Sequence, residues 1–164
     1  TLVLIPEIVK SIKLPIIAAG GIASGKQMAA AFALGAEGVQ IGSRFVASYE
    51  SSAHQYFKNA VLASNEGDTQ LTLKQLTPVR LIKNKFYRQV EEAEKRGATK
   101  EELIQLLGRS RAKKGMFEGD LEEGELEIGQ VSAYIKEIKP AEEILNEIYA
   151  EFVETLQYLK QITY

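Results

Sequence analysis

The chain has 164 residues, 45% of them apolar and 26% charged, with a net charge of −2. That balance describes an ordinary globular protein long enough to bury a core, and it supplies no basic field for nucleic acid. With no cysteine and a single histidine, a disulfide framework, a thiolate or histidine metal cluster and a cysteine nucleophile are excluded, and no stretch approaches the ~20 apolar residues of a membrane span.

The N-terminal "TLVLIPEIVK" has no basic region followed by a cleavable apolar core, so it is no signal peptide, and a cytoplasmic location is expected. It does not begin with methionine, so it is either a mature end or a cut in a longer chain. Leu4, Ile5, Ile8, Val9 and Ile12 fall at helical spacing. "LPIIAAG" is a continuous apolar run that suits a strand buried on both faces of a parallel sheet. "SGKQMAAAFALG" predicts a helix capped by Ser24 and stopped at Gly35. "GVQIGSRF" predicts a second strand, Val39 to Ile41. The strands start about 23 residues apart, with a helix as the crossover, which is parallel α/β organisation.

Beyond Phe45, "SYESSAHQYFKNAVLAS" reads as helix. "GDTQLTLKQLTPVRLIKNKF" reads as irregular or weakly extended, broken by Pro78. Two helices follow, Phe86 to Arg96 and Lys100 to Arg111, split at Gly97 with Thr99 as a cap. "FEGDLEEGELEIG" is a glycine-punctuated acidic loop. Pro140 then opens a long amphipathic helix with Ile144, Leu145, Ile148, Phe152, Leu156 and Leu159 on one face. The expected segments are 1–48, carrying two βα units, 49–139, helical and irregular, and 140–164, the terminal helix.

Two strands in succession end in glycine and lead into helices, at Gly20-Gly21 and at Ile41-Gly42-Ser43. A helix start offers unpaired N–H groups and a positive dipole end, and absent side chains let an anion reach the backbone. Adjacent parallel strands bring both turns to one edge, where (β/α)8 barrels often bind phosphate. The competing reading is glycine used for the tight turns alone.

"IPEIVKSIKLPIIAAGGIASGKQMAAAFALGAEGVQIGSRFVAS" closely resembles the C-terminal barrel segment of the nitronate monooxygenase family, which includes 2-nitropropane dioxygenase-like proteins and flavin-dependent enoyl-ACP reductases. The likeness continues in "PVRLIKNKF", "EGDLEEGELEIGQ" and "IKEIKPAEEI". The glycine motif alone also resembles other phosphate-binding barrels, such as inosine monophosphate dehydrogenase. The resemblance implies an α/β fold, the last two βα units of a TIM (β/α)8 barrel followed by a mainly helical tail, holding FMN non-covalently. It implies that Gly20, Gly21, Gly42 and Ser43 bind the FMN phosphate, that Gln40 faces the flavin, and that Gly129-Gln130 matches the family's Gly-Gln near it. Val131-Ser132-Ala133-Tyr134 departs from the small residues that usually follow. The family's catalytic histidine lies in a segment preceding "TLVLIPEIV". It is therefore expected upstream of Thr1, with no catalytic residue in this chain and no metal site.

The resemblance also implies NAD(P)H as reductant of an enoyl thioester or, in the other branch, oxidation of a nitronate with oxygen. "KNKF" and "EGDLEEGE" look more like the reductase branch. A vestigial fragment holding only part of the phosphate site is a third reading, and a nucleotide-type barrel dehydrogenase, disfavoured by the tail, a fourth. Expected partners are a small-molecule or acyl-thioester substrate, the N-terminal half of the barrel and a second copy in a homodimer, with neither nucleic acid nor membrane. His54 reads as structural, Lys83 and Lys85 as a solvated basic cluster and Arg80 as a structural ion pair. Glu118 to Glu127 lacks the spacing of a calcium loop.

Overall fold

The computed structural model describes residues 2–162; Thr1, Thr163 and Tyr164 lie outside the described residues. In chain order the elements are α1 (Leu4–Ser11), β1 (Ile17–Ala19), α2 (Gly25–Ala33), β2 (Gly38–Gln40), α3 (Ser43–Val46), α4 (Gln55–Ala63), β3 (Thr69–Thr72), β4 (Val79–Ile82), α5 (Lys85–Lys95), α6 (Lys100–Leu107) and α7 (Ala141–Lys160). A π turn covers Lys113–Phe117 and a 3-10 turn Gln130–Tyr134. The chain forms two compact units, one made of the segment up to Glu50 with that from Lys139 onward, the other Ser51–Ile138. No helix among the described residues is long and apolar enough to cross a membrane.

In the first unit β1 and β2 pair in parallel, with Ile17 opposite Gly38, Ala18 opposite Val39 and Ala19 opposite Gln40. Ser24 caps α2 by accepting from the Gln27 N–H at 3.2 Å. A small core joins Ile5 of α1 to Ala18, Ile22, Ala31 and Ala36, with Val39 and Ile41 against it. Alternation along β1 buries Ala18 and leaves Ile17 58% exposed. The strand is therefore covered on one face among the described residues, not on both. The terminal helix α7 packs on α2, where the Phe32 and Phe152 rings meet at 5.5 Å. Ile144 and Ile148 are buried there, while Leu145, Leu156 and Leu159 of the expected apolar face are exposed. Ser48 and Lys139 form a parallel bridge between the two segments of the unit.

The second unit corrects the sequence reading most. The stretch read as irregular or weakly extended is a paired antiparallel hairpin, β3 with β4, running from Thr69 opposite Ile82 to Thr72 opposite Val79. Pro78 lies in the connection, just before β4, where its missing N–H removes no ladder bond. The acidic loop adds to the other edge of β4: Ile82 N–H donates to the Leu126 carbonyl and Ile128 N–H to the Arg80 carbonyl, each at 3.0 Å. Asn84 caps α5 through the Tyr87 N–H and donates to the Leu121 and Gly124 carbonyls at 2.8 Å. Thr99 and Glu102 form a reciprocal capping box on α6. That helix stops at Leu107 rather than Arg111. The Arg111 Nε donates to the Leu106 and Leu107 carbonyls, closing the helix end, while its guanidinium stacks 4.5 Å from the Phe86 ring centre. The core comprises Leu73, Leu81, Phe86, Tyr87, Val90, Ala93, Ala98 and Leu103. Helix α4 begins only at Gln55, since His54 is its cap.

Candidate functional site

Pairing between β1 and β2 ends at Ala19 and Gln40, so Gly20-Gly21 and Ile41-Gly42 leave the sheet at the same, C-terminal, end. Gly20 has φ +95° and Gly21 φ +73°. These values alone account for glycine there, since a side chain is strained in that region. Gly42 is different. Its φ is −109°, which any residue adopts, and a Cβ built on it would meet no atom within 4 Å. Neither backbone conformation nor the chain's own packing asks for glycine at 42. Space in front of Gly20 and Gly21 is equally open, and a hollow of about 180 Å³ lies against them with the Gln27 side chain on its wall.

Ser43 opens α3, and Gly42 is the cap whose carbonyl accepts from the Phe45 and Val46 N–H groups. Gln40 is exposed at the end of β2. Five of the six predicted residues, Gly20, Gly21, Gln40, Gly42 and Ser43, thus sit at one edge of one sheet. The sixth, Gln130, belongs to the second unit and is exposed at the start of the 3-10 turn. In that turn Ser132 is fully buried, and its hydroxyl has no hydrogen-bond partner among the described residues. The catalytic residue that the resemblance puts upstream of Thr1 lies outside the described residues.

The N-terminus of α2 is not an open anion site. The Gly25 N–H donates to the Glu151 carboxylate of α7 at 2.7 Å, and the Ala23 N–H donates to the Gln27 side-chain oxygen at 2.7 Å. With Ser24 on the Gln27 N–H, both the Gly25 and the Gln27 N–H groups of the helix start are met by the chain itself. Glu151 carries no local sequence signal, because its partner lies 126 residues away.

The other residues resolve simply. His54 caps α4, its Nδ1 accepting from the Tyr56 N–H at 3.1 Å, and its ring lies where a Cβ on Gly119 would be. Lys85 pairs with Glu123, which raises its pKa, whereas Lys83 makes no ion pair or hydrogen bond through its side chain among the described residues. Arg80 donates to the Thr69 carbonyl and hydroxyl at 3.1 and 3.3 Å, so its anchor is neutral, not the expected ion pair. Asp120 accepts from the Glu122 and Glu123 N–H groups, a local turn. Among the described residues no three His, Cys, Asp or Glu side chains gather to hold a metal ion.

The nitronate monooxygenase family model matches residues 1–151. The chain belongs to the nitronate monooxygenase family. A probable nitronate monooxygenase from Staphylococcus saprophyticus is 44% identical over 94 residues, 56% of this chain and 26% of that protein. Among solved structures, FabK from Thermotoga maritima is 40% identical with a TM-score of 0.89, over 98% of this chain and 51% of that one. Nitroalkane oxidase from Streptomyces ansochromogenes is 30% identical with a TM-score of 0.79, over 96% and 45%. The fold is thus the C-terminal segment of a TIM barrel with a mainly helical tail, and the chain spans about half the length of these solved relatives.

Proposed function

We propose that this chain forms the C-terminal half of an FMN-dependent oxidoreductase, with the FMN phosphate held by the backbone at Gly20, Gly21 and Gly42 and by the Ser43 hydroxyl. Gly42 carries the reading: a glycine that neither φ nor internal packing requires is explained by a ligand approaching the main chain. The paired turns at one sheet edge give the phosphate donors from two directions. Glu151 keeps the start of α2 occupied, which steers an anion toward the turns instead. Gln40, at the strand end, is the side chain of this unit assigned to the flavin ring. FMN, when bound, supplies hydride chemistry that no side chain of this family segment supplies. The rest of the barrel, whose strands pair with the open edges of β1 and β2, brings the proton-handling residue.

Within this class the reductase reading, NAD(P)H as reductant and an enoyl thioester as acceptor, rests on the likeness of "KNKF" and "EGDLEEGE" to that branch. The nitronate monooxygenase reading is supported by the family model and the curated relative. A barrel completed with an N-terminal half and loaded with FMN separates them. Enoyl-dependent NAD(P)H oxidation without oxygen supports the first reading; nitronate-dependent oxygen uptake supports the second. A completed, folded barrel that retains no flavin defeats both.

A further inference from the structure

A polar cleft of about 530 Å³ lies between the β3–β4 hairpin and α5. Its floor is built, not incidental. Thr72 and Tyr87 are 2% and 4% exposed, and their hydroxyls donate to Glu94 Oε2 at 2.7 Å and to Glu91 Oε1 at 2.8 Å. Burial and the Glu91 hydrogen bond push the Tyr87 pKa up to about 12, so the phenol stays a donor. Each buried hydroxyl fixes one carboxylate and leaves it lone pairs to spare. Lys95 takes the second oxygen of Glu91 at 2.9 Å; among the described residues the second oxygen of Glu94 has no donor.

The cleft wall carries the opposite charge. Lys74 and Lys83 line it, and neither ammonium makes an ion pair or hydrogen bond among the described residues; Lys83 acts on Glu91 only at longer range. Leu73, just before Lys74, has φ +54° while 1% exposed. Its side chain is anchored in the core as the backbone turns Lys74 and Gln75 onto the cleft.

We infer that this cleft binds a ribose-bearing diphosphate, its ribose hydroxyls donating to Glu94 and Glu91 and its phosphates pairing with Lys74 and Lys83. Oriented carboxylates suit a vicinal diol, as in dinucleotide sites, and repel a bare anion. Two unpaired ammonium groups suit phosphate. A ligand with both parts satisfies both walls at once. The inference deepens the reductase reading, whose reductant carries an adenosine diphosphate group, and a carboxylate at the ribose disfavours a phosphate on the 2′ oxygen.

The test titrates ADP, adenosine, pyrophosphate and the 2′-phosphorylated ADP into the full chain, followed by amide chemical shifts. ADP is expected to bind at about 1 mM or tighter, with adenosine, pyrophosphate and the 2′-phosphorylated form each at least about tenfold weaker. Shifts should centre on Thr72, Lys74 and Lys83. Lys83→Glu and Lys74→Glu should each weaken ADP about tenfold, and Glu94→Gln should narrow the gap between ADP and its 2′-phosphorylated form. Gly42→Asp should leave ADP binding intact, which keeps this inference separable from the flavin assignment. No saturable binding at millimolar ADP, pyrophosphate binding as well as ADP, or indifference to Lys83→Glu overturns it.

Discussion

The Gly25 N–H of α2 donates to the Glu151 carboxylate of α7 at 2.7 Å, so the positive end of one helix is closed by an acid from another. Gly25 makes the approach possible: a Cβ there would enter the α7 backbone at Ile148 and Phe152. Glu151→Ala should lower stability by about 1–2 kcal/mol, the value of a cap hydrogen bond to a charged acceptor. Gly25→Ala should cost about 1–3 kcal/mol through overpacking. Urea unfolding measures both. An unchanged midpoint for Glu151→Ala means that the cap is not formed in solution.

Gly21 and Gly42 should respond differently to the same substitution. Gly21→Ala forces a side chain to φ +73° and should cost about 1–2 kcal/mol. Gly42→Ala meets ordinary φ and open space, so stability should stay within about 0.5 kcal/mol. Gly42→Asp in a completed barrel should abolish flavin retention, because a carboxylate would face the phosphate. Thermal melts and the flavin-to-protein ratio separate the two effects. Full flavin content in folded Gly42→Asp removes the phosphate assignment.

Glu125 is 6% exposed, and its carboxylate has no hydrogen-bond partner among the described residues. Burial, reinforced by Glu127 and opposed by Arg111, pushes its pKa up to about 7. A raised carboxyl pKa means that the folded state holds the proton more tightly than the unfolded one. Its stabilising contribution is complete below the ordinary carboxyl range and lost as pH rises to about 7. Glu125→Gln should therefore stabilise the chain at pH 8 by roughly 1–3 kcal/mol, with the gain vanishing near pH 4. Unfolding curves across that range check the sign. A destabilised variant at pH 8 would show the ionised form to be favoured by folding.

His54 offers its Nδ1 to the Tyr56 N–H, which makes it a helix cap. His54→Ala should cost about 1 kcal/mol, and Asn should restore most of it. In a completed barrel, turnover per folded molecule should be nearly unchanged. A loss beyond about a hundredfold in kcat, the scale of a lost general acid or base, would reassign it.

What the sequence disclosed was local. Ser24, Thr99 and Pro140 mark helix starts because cap chemistry is written within three or four residues. The two βα units were legible because a short apolar run, a glycine turn and an alanine-rich helix recur in order. The hairpin was not. Its connection from Leu73 to Pro78 has no Asn-Gly turn, and it turns on a leucine in left-handed conformation that only core burial sustains. Glu151, Arg111 and the cleft acids were equally silent, since each acts on an element distant in sequence or through a packed partner. Of the candidate site, the glycines were legible; the occupied start of α2 and the contrast between Gly21 and Gly42 required coordinates.

The last prediction concerns the 164-residue polypeptide by itself: it should turn over neither an enoyl thioester with NAD(P)H nor a nitronate with oxygen. Among the described residues the first unit pairs two strands, and Ile17 of β1 is 58% exposed. An apolar groove of about 580 Å³, with Met28, Phe32, Val39, Phe45 and Tyr149 on its walls, stands open beside β2. Unpaired edges and an open apolar groove favour association, so the isolated chain should self-associate in a concentration-dependent way. Phosphate affinity at the glycine turns should be weak, because donors from the rest of a closed barrel are absent. The one histidine is committed to its cap. Light scattering across a dilution series and both assays with added FMN test these points together. A monomer at all concentrations contradicts the open-edge argument. Sustained turnover of either substrate would place a catalytic group within this chain and overturn the assignment of chemistry to the remainder of the barrel.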